Sequence, residues 1–109
     1  MSILFGGLAE AGPLHALDST PVAEAIIRAG HAEYMVRFDG LVDHAASQIR
    51  ITQSGHVIQT LPALLNAAPS VLYASGEAPA PGQYMLHWEA RSSTDGTLSD
   101  GDIRFTVVP

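Results

Sequence analysis

Apolar side chains recur at every second position along much of this chain, and no other feature of the sequence constrains its fold as strongly. The alternation is clearest in residues 83–91 and recurs in residues 31–38, 48–52 and 103–108. In the clearest segment, one face carries Tyr84, Leu86, Trp88 and Ala90, and the other carries Met85, His87, Glu89 and Arg91. A period of two is typical of a β-strand with one buried and one hydrated face. We therefore expect sheets that share an apolar core.

Turn-forming residues separate these segments at short intervals. Gly55 favours a hairpin between two of them, and Pro79 and Pro81 favour a loop over residues 76–82. Residues 92–102 contain two Asp-Gly pairs, which are typical of a polar turn region. With a short apolar run at residues 71–73, the pattern predicts about seven short strands in an all-β fold, an antiparallel sandwich or barrel.

Two segments carry helical signals instead. Pro21 and Gly30 bracket residues 22–29 in the positions where a helix begins and ends, so a short helix is predicted there. Residues 61–68 are predicted to form one or two helical turns. Both segments are too short to change the fold class.

The charge balance excludes several classes of function. The chain has 11 acidic residues against five basic ones, a formal net charge of −6, and arginines that are scattered singly. Nucleic acids and anionic membrane surfaces both require clustered positive charge, so neither is an expected partner. There is no cysteine, which excludes thiol catalysis and disulfide bonds.

Motifs of common enzymes are also missing. The sequence contains neither a G-x-S-x-G nucleophile motif nor a G-x-x-x-x-G-K phosphate loop. A chain of 109 residues has room for one core. We therefore expect one binding domain at residues 15–109 rather than an enzyme, preceded by an N-terminal extension or edge strand at residues 1–14. That extension lacks the basic start of a secretory signal.

Two short motifs stand at the ends of residues 15–109. The first runs from His15 to Pro21 as HALDSTP, and the second runs from Gly82 to Trp88 as GQYMLHW. The second is followed by Ser92, Asp95-Gly96, Gly101 and, at residues 105–107, FTV. Together they resemble the opening and closing motifs of the CopC-like periplasmic copper-resistance proteins. The resemblance implies an immunoglobulin-like β-sandwich, copper handling and a periplasmic location.

The same resemblance implies a copper(II) site. In the family, the histidine that starts the mature chain supplies its amino group and imidazole, and the Asp and His of a D-x-H motif complete the ligand set. His15 matches the opening histidine and Asp95 matches the aspartate. Nitrogen ligands suit tetragonal copper(II), and a carboxylate is a harder supporting ligand.

The chain departs from this pattern at three points. Thr97 stands where the D-x-H motif has its histidine, and Asp95 lies seven residues after Trp88 instead of six. His15 follows 14 residues, so its backbone nitrogen is an amide unless a chain begins there. We therefore expect copper(II) to bind at reduced affinity.

Other histidines are candidates to complete the site. His87 lies on the polar face of its predicted strand, and His44 follows an aspartate in a predicted turn. A substitute site would combine His15, His44 or His87 with Asp95. His31 and His56 are expected to be ordinary half-exposed strand residues.

The implied partners are a copper ion and a copper-transport membrane protein. The alternative is a metal-free immunoglobulin-like module for protein interaction or assembly, in which the N-terminal segment supports a homo-oligomer. A sandwich that binds a small molecule or carbohydrate has less support, because the only aromatic platform would be Trp88 and the three tyrosines.

Overall fold

The computed structural model describes residues 13–109, which form two β-sheets. The strands are β1 (Ala16–Thr20), β2 (Ala25–Arg28), β3 (His31–Phe38), β4 (Gln48–Gln53), β5 (His56–Pro62), β6 (Val71–Glu77), β7 (Gly82–Arg91) and β8 (Leu98–Val108). One sheet has the order β1-β3-β6 and the other the order β2-β8-β7-β4-β5. A single 3-10 turn, His44–Ala46, precedes β4. The predicted all-β sandwich is confirmed, with eight strands in the described part of the chain where about seven were expected.

The predicted alternation determines which side chains meet between the sheets. The buried faces of β3 and β7 carry Ala32, Tyr34, Val36, Phe38, Tyr84, Leu86, Trp88 and Ala90. Phe38 and Trp88 join the two sheets edge to face, with ring centroids 5.0 Å apart and planes at 70°. Gly101 lies opposite Trp88 on β8, where a Cβ atom would come within 2.7 Å of the indole ring. Trp88 therefore fits only because its cross-strand neighbour has no side chain.

The helix predicted for residues 22–29 is wrong, because this segment forms β2. Glu24 has a positive φ of 68°, which no helix accommodates, and its N–H bonds to the Arg104 carbonyl at 2.7 Å. Ala25–Arg28 then pairs with β8. This pair is parallel, whereas the other strand pairs of the described residues are antiparallel. Pairing with the edge of β8 satisfies backbone groups of both segments.

Three loop boundaries also differ from the predictions. The helical turns predicted for residues 61–68 reduce to one hydrogen-bonded turn, in which the Ala67 N–H donates to the Leu64 carbonyl at 3.3 Å. Strand β5 continues to Pro62, and the loop that follows bonds back to Tyr73 of β6. Strand β6 extends to Glu77, into the predicted loop. Strand β8 begins at Leu98, so the turn region is confined to residues 92–97. In each case the cross-strand partner continues and keeps the extended residues in the sheet.

The start of the described chain is tied to the core. Leu14 is only 5% exposed and belongs to the same apolar cluster as Phe38 and Trp88. The N-terminal extension or edge strand predicted for residues 1–14 falls mostly on residues 1–12, which lie outside the described residues. Within residues 13–109, no helix is long and apolar enough to cross a membrane.

For two buried tyrosines, we expect loss of the hydroxyl group to change the free energy of unfolding in opposite directions. The Tyr84 hydroxyl donates to the Ala80 carbonyl at 2.5 Å, whereas the Tyr34 hydroxyl is buried without a hydrogen-bond partner among the described residues. Removing a satisfied hydroxyl loses a hydrogen bond, but removing an unsatisfied one relieves a desolvation cost. We expect Tyr84→Phe to lower the free energy of unfolding by about 1 kcal/mol and Tyr34→Phe to raise it by about 1 kcal/mol. Denaturant titration followed by Trp88 fluorescence measures both, and a loss of stability in Tyr34→Phe would contradict the assignment.

Candidate metal centre

His15 and Asp39 meet at one end of the sandwich. Ala16 at the start of β1 pairs with Phe38 at the end of β3, so the residues just beyond each strand are neighbours. The His15 backbone N–H donates to Asp39 Oδ1 at 2.9 Å, and His15 Nδ1 lies 2.8 Å from Asp39 Oδ2. The Asp39 N–H in turn donates to the His15 carbonyl at 3.0 Å. Two nitrogens of one histidine therefore face the two oxygens of one carboxylate.

This pair is charged and open to solvent. The hydrogen bonds from the His15 backbone and ring hold the pKa of the Asp39 carboxyl below its usual value, so the carboxylate is ionised at neutral pH. The side chains are 71% exposed for His15 and 41% exposed for Asp39. Both side chains are therefore accessible to a hydrated cation.

Asp95 lies in the loop that joins β7 to β8, and that loop is tightly organised. The Asp95 carboxylate accepts from the Thr97 N–H at 3.0 Å, and Gly96 adopts a φ of 77°, which favours glycine. The Arg91 guanidinium donates to the Gly96 carbonyl at 2.6 Å. The Asp-Gly pair thus forms the turn predicted from its sequence, and an arginine fixes the turn to the end of β7.

The Asp95 loop lies at the same end of the sandwich as His15 and Asp39. The Ser93 N–H donates to the Leu41 carbonyl at 3.0 Å, two residues after Asp39. On the other side of the loop, Ser99 Oγ accepts from the Leu14 N–H at 3.0 Å. Hydrogen bonds therefore join this loop and the start of β8 to residues close in sequence to Asp39 and His15.

His44 contacts the backbone of the loop before β6. Its Nε2 atom lies 3.0 Å from the Ala68 carbonyl and 2.9 Å from the Val71 carbonyl. Because carbonyls only accept, Nε2 carries the proton and Nδ1 is the nitrogen left for any other role. The visible role of His44 is to attach this loop to the turn before β4.

His87 sits on the outer face of the five-stranded sheet among carboxylates. Its Nδ1 atom lies 2.9 Å from Asp102 Oδ1, the cross-strand neighbour, and its Nε2 lies 3.5 Å from Glu89 Oε2 and 3.7 Å from Asp100 Oδ2. Four residues of β7, or about 13 Å of strand, separate His87 from the loop that begins after Arg91. His87 therefore belongs to a different surface from His15.

Glu89 connects the His87 surface to β4. Burial opposes ionisation of Glu89, but the hydrogen bond from Gln48 and the positive charge of Arg50 outweigh it, so the pKa of Glu89 is lowered overall. Arg50 Nη1 lies 3.1 Å from Glu89 Oε2. This carboxylate joins β7 to β4 on the outer face of the sheet.

The four predicted metal ligands do not come together as one cluster. Within residues 13–109, no group of three or more His, Asp or Glu side chains is arranged to hold a metal ion. Asp39 is the site residue that the sequence reasoning missed. The available signal was its place directly after Phe38, at the end of the strand expected to pair with the segment that follows His15.

The architecture is that of a small β-sandwich with a histidine–carboxylate pair at one end. A family model described as the CopC domain matches residues 16–108. The chain therefore belongs to the CopC family.

A solved relative agrees with this assignment. The crystal structure of CopC from Methylosinus trichosporium OB3b is 31% identical to this chain, covers 89% of it and 95% of its own length, and superposes with a TM-score of 0.74. A search of curated proteins found no match.

Two more distant structures share the fold alone. An engineered protein is 17% identical over 91% of this chain and 20% of its own, with a TM-score of 0.63. The fibronectin(III)-like modules of Clostridium thermocellum CbhA are 18% identical over 88% of this chain and 46% of theirs, with a TM-score of 0.53. The sandwich framework thus occurs in structures beyond the CopC family.

The lowered pKa of Asp39 predicts how Asp39→Asn responds to acid. A carboxyl whose pKa is depressed in the folded state stabilises the fold above its unfolded pKa, near 3.9, and loses that contribution as the pH falls through its folded pKa. Asp39→Asn should be less stable than the parent at pH 7, and the difference should vanish as the pH drops below about 4. Thermal unfolding across pH 2–7 measures this. Glu77→Gln, at the exposed end of β6, is the control, and a difference for Asp39→Asn that persists at pH 2 would contradict the explanation.

Proposed function

We propose that this chain binds copper(II) in copper resistance or homeostasis, at the end of the sandwich where His15 and Asp39 meet. The observation that carries the proposal is the convergence of two His15 nitrogens on the Asp39 carboxylate, at 2.9 and 2.8 Å. Membership of the CopC family supports copper as the metal. The role is binding of an ionic cargo rather than catalysis.

The donor types suit the proposed ion. Copper(II) favours tetragonal arrangements of nitrogen and oxygen ligands, and imidazole is a stronger donor to it than a carboxylate. Asp39 is ionised at neutral pH, so it needs no proton loss before it binds a cation. In a chain that begins at His15, the backbone nitrogen becomes an amine and supplies a further ligand next to Nδ1.

The ligand set is incomplete, which supports a reduced affinity. Thr97 offers a hydroxyl in the place of an imidazole, and a neutral hydroxyl is a poor ligand for copper(II). We propose that Asp95, in the adjoining loop, is the supporting carboxylate. Its carboxylate accepts from the Thr97 N–H at 3.0 Å, which fixes Asp95 in that exposed turn.

His44 and His87 remain proposed ligands of lower rank. For His44, binding through Nδ1 would leave its two carbonyl contacts in place. For His87, the nearest carboxylates are Asp100 and Asp102, so any metal there would occupy a site apart from His15.

The proposed setting follows from the family. We infer that the protein works in the periplasm and exchanges copper with a copper-transport membrane protein. An exposed pair at one end of a rigid sandwich suits such exchange, because a partner can approach the ion without opening the core. The incomplete ligand set would favour release of copper as well as uptake.

Copper(II) titration of a chain that begins at His15 tests the proposal. We expect about one copper(II) per chain, because amine, imidazole and carboxylate donors then converge on one ion. His15→Phe should abolish this uptake, whereas His56→Phe, at an exposed position of β5, should leave it unchanged. Calorimetry gives the stoichiometry and affinity, and electron paramagnetic resonance counts the nitrogen ligands. If this chain takes up no copper(II), the proposal fails.

The same titration can test a substitution that is expected to raise the copper(II) affinity. Thr97→His restores the missing imidazole and should raise copper(II) affinity about tenfold or more, a change typical of ligand-shell substitutions. Thr94→His places an imidazole in the same loop at a position outside the D-x-H spacing, and it should have a smaller effect. Equal effects of the two substitutions would count against Asp95 and Thr97 as the ligand positions.

A metal-free interaction module is the second candidate function. It is favoured by the absence of a three-ligand group within residues 13–109 and by Val57 and Ile58, which are exposed on the edge strand β5. In this case the chain should self-associate in the presence of a chelator and lose association when residues 1–14 are removed. Analytical ultracentrifugation distinguishes the two candidates.

A further inference from the structure

The residue before His15 is built into the core. Leu14 is 5% exposed, and its Cδ2 atom lies 3.0 Å from the point where a Cβ atom on residue 40 would stand, so Gly40 provides the room for it. The Leu14 N–H donates to Ser99 Oγ at 3.0 Å. Its side chain is thus seated against the loop after β3, and its backbone is tied to β8.

The contacts of His15 with Asp39 determine what His15 can offer a metal. The His15 amide N–H is directed at Asp39 Oδ1, and an amide nitrogen that keeps its proton has no lone pair for a metal. Nδ1 faces Asp39 Oδ2, an acceptor, so Nδ1 carries a proton as well. The His15 carbonyl is held by the Asp39 N–H at 3.0 Å, which stops this backbone from turning away.

We propose that Leu14 is a latch on the His15 site. While Leu14 occupies its slot beside Gly40 and Ser99, the backbone nitrogens of residues 14 and 15 stay hydrogen-bond donors and copper(II) binds weakly. When Leu14 leaves the slot, those nitrogens can turn toward an ion held by the His15 imidazole. This inference rests on the proposed copper(II) function and adds that a core leucine sets the affinity of the site.

The chemistry of the released state is that of a copper(II) chelate. The ion replaces the proton on the His15 amide nitrogen, and that proton passes to water. The Nδ1 proton moves to Nε2, so the imidazole stays neutral and Nδ1 offers its lone pair. No bond of the chain is broken, and copper stays in the +2 state. Ligands must lose their protons before they bind a metal, so the affinity should rise with pH once the latch is open.

Two chains that both begin at residue 14 test the latch directly. One is unchanged and the other carries Leu14→Gly, and both offer the same donors: the terminal amine, the His15 amide nitrogen and the His15 imidazole. Both contain residues 14–109, which include all eight strands, and the unchanged chain keeps every residue of the apolar cluster. We expect Leu14→Gly to bind copper(II) at least about tenfold more tightly and to show more nitrogen ligands by electron paramagnetic resonance. Leu17→Gly, at an exposed position on β1, is the matched control and should leave the affinity unchanged.

A second measurement uses the full chain without metal. The His15 amide should be protected from hydrogen exchange in the parent, and Leu14→Gly should increase its exchange rate about tenfold or more. The amides of Tyr34 and Trp88, within β3 and β7, should keep their protection, which shows that the sandwich remains folded. Unchanged exchange at His15 overturns the latch.

The outcomes separate the latch from the copper(II) function itself. Equal copper(II) affinity of the two chains that begin at residue 14 overturns the latch, while uptake by the chain that begins at His15 keeps the proposed function. Tighter binding by Leu14→Gly, with faster exchange at His15, supports the latch. Absence of uptake by all three chains overturns the proposed function and the latch together.

Discussion

The edge-to-face contact between Phe38 and Trp88 is the interaction on which the candidate site depends. It joins the two sheets at a centroid distance of 5.0 Å, and it exists only because Gly101 leaves room for the indole. Asp39 follows Phe38 directly, and the loop that carries Asp95 follows the strand of Trp88. The packing of these two rings therefore determines where the chain segments that carry Asp39 and Asp95 emerge from the core. The position of the site is a consequence of sandwich packing.

Around that contact, the candidate site uses very few groups. One histidine meets one carboxylate through its backbone nitrogen and Nδ1, and a backbone N–H holds a second carboxylate in the neighbouring loop. Charge favours a cation there, because Asp39 is ionised at neutral pH. In the proposed latch, the position of Leu14 determines whether the backbone nitrogens of residues 14 and 15 donate hydrogen bonds within the fold or bind the ion.

Sequence reasoning was most successful where burial alternates strictly. The faces of β3 and β7 were predicted correctly, because a one-residue slip would have exposed every apolar side chain. It was wrong for residues 22–29, where local helix signals gave way to the open edge of β8. It also missed Asp39, because nothing local distinguishes an aspartate after a strand from one in a turn. Asp39 lies beside His15 because β1 pairs with β3, and that pairing joins residues that are distant in the sequence.

The sequence by itself determined the fold class, the family and the identity of His15 as the residue to test, because period-two patterning and short motifs are local properties of a chain. Only the tertiary structure decided which group His15 meets, that His87 faces a separate set of carboxylates, and that Leu14 is part of the core. Those relations join residues that are up to 85 positions apart. Strand pairing and packing set them, and no local pattern encodes the distance between two such atoms.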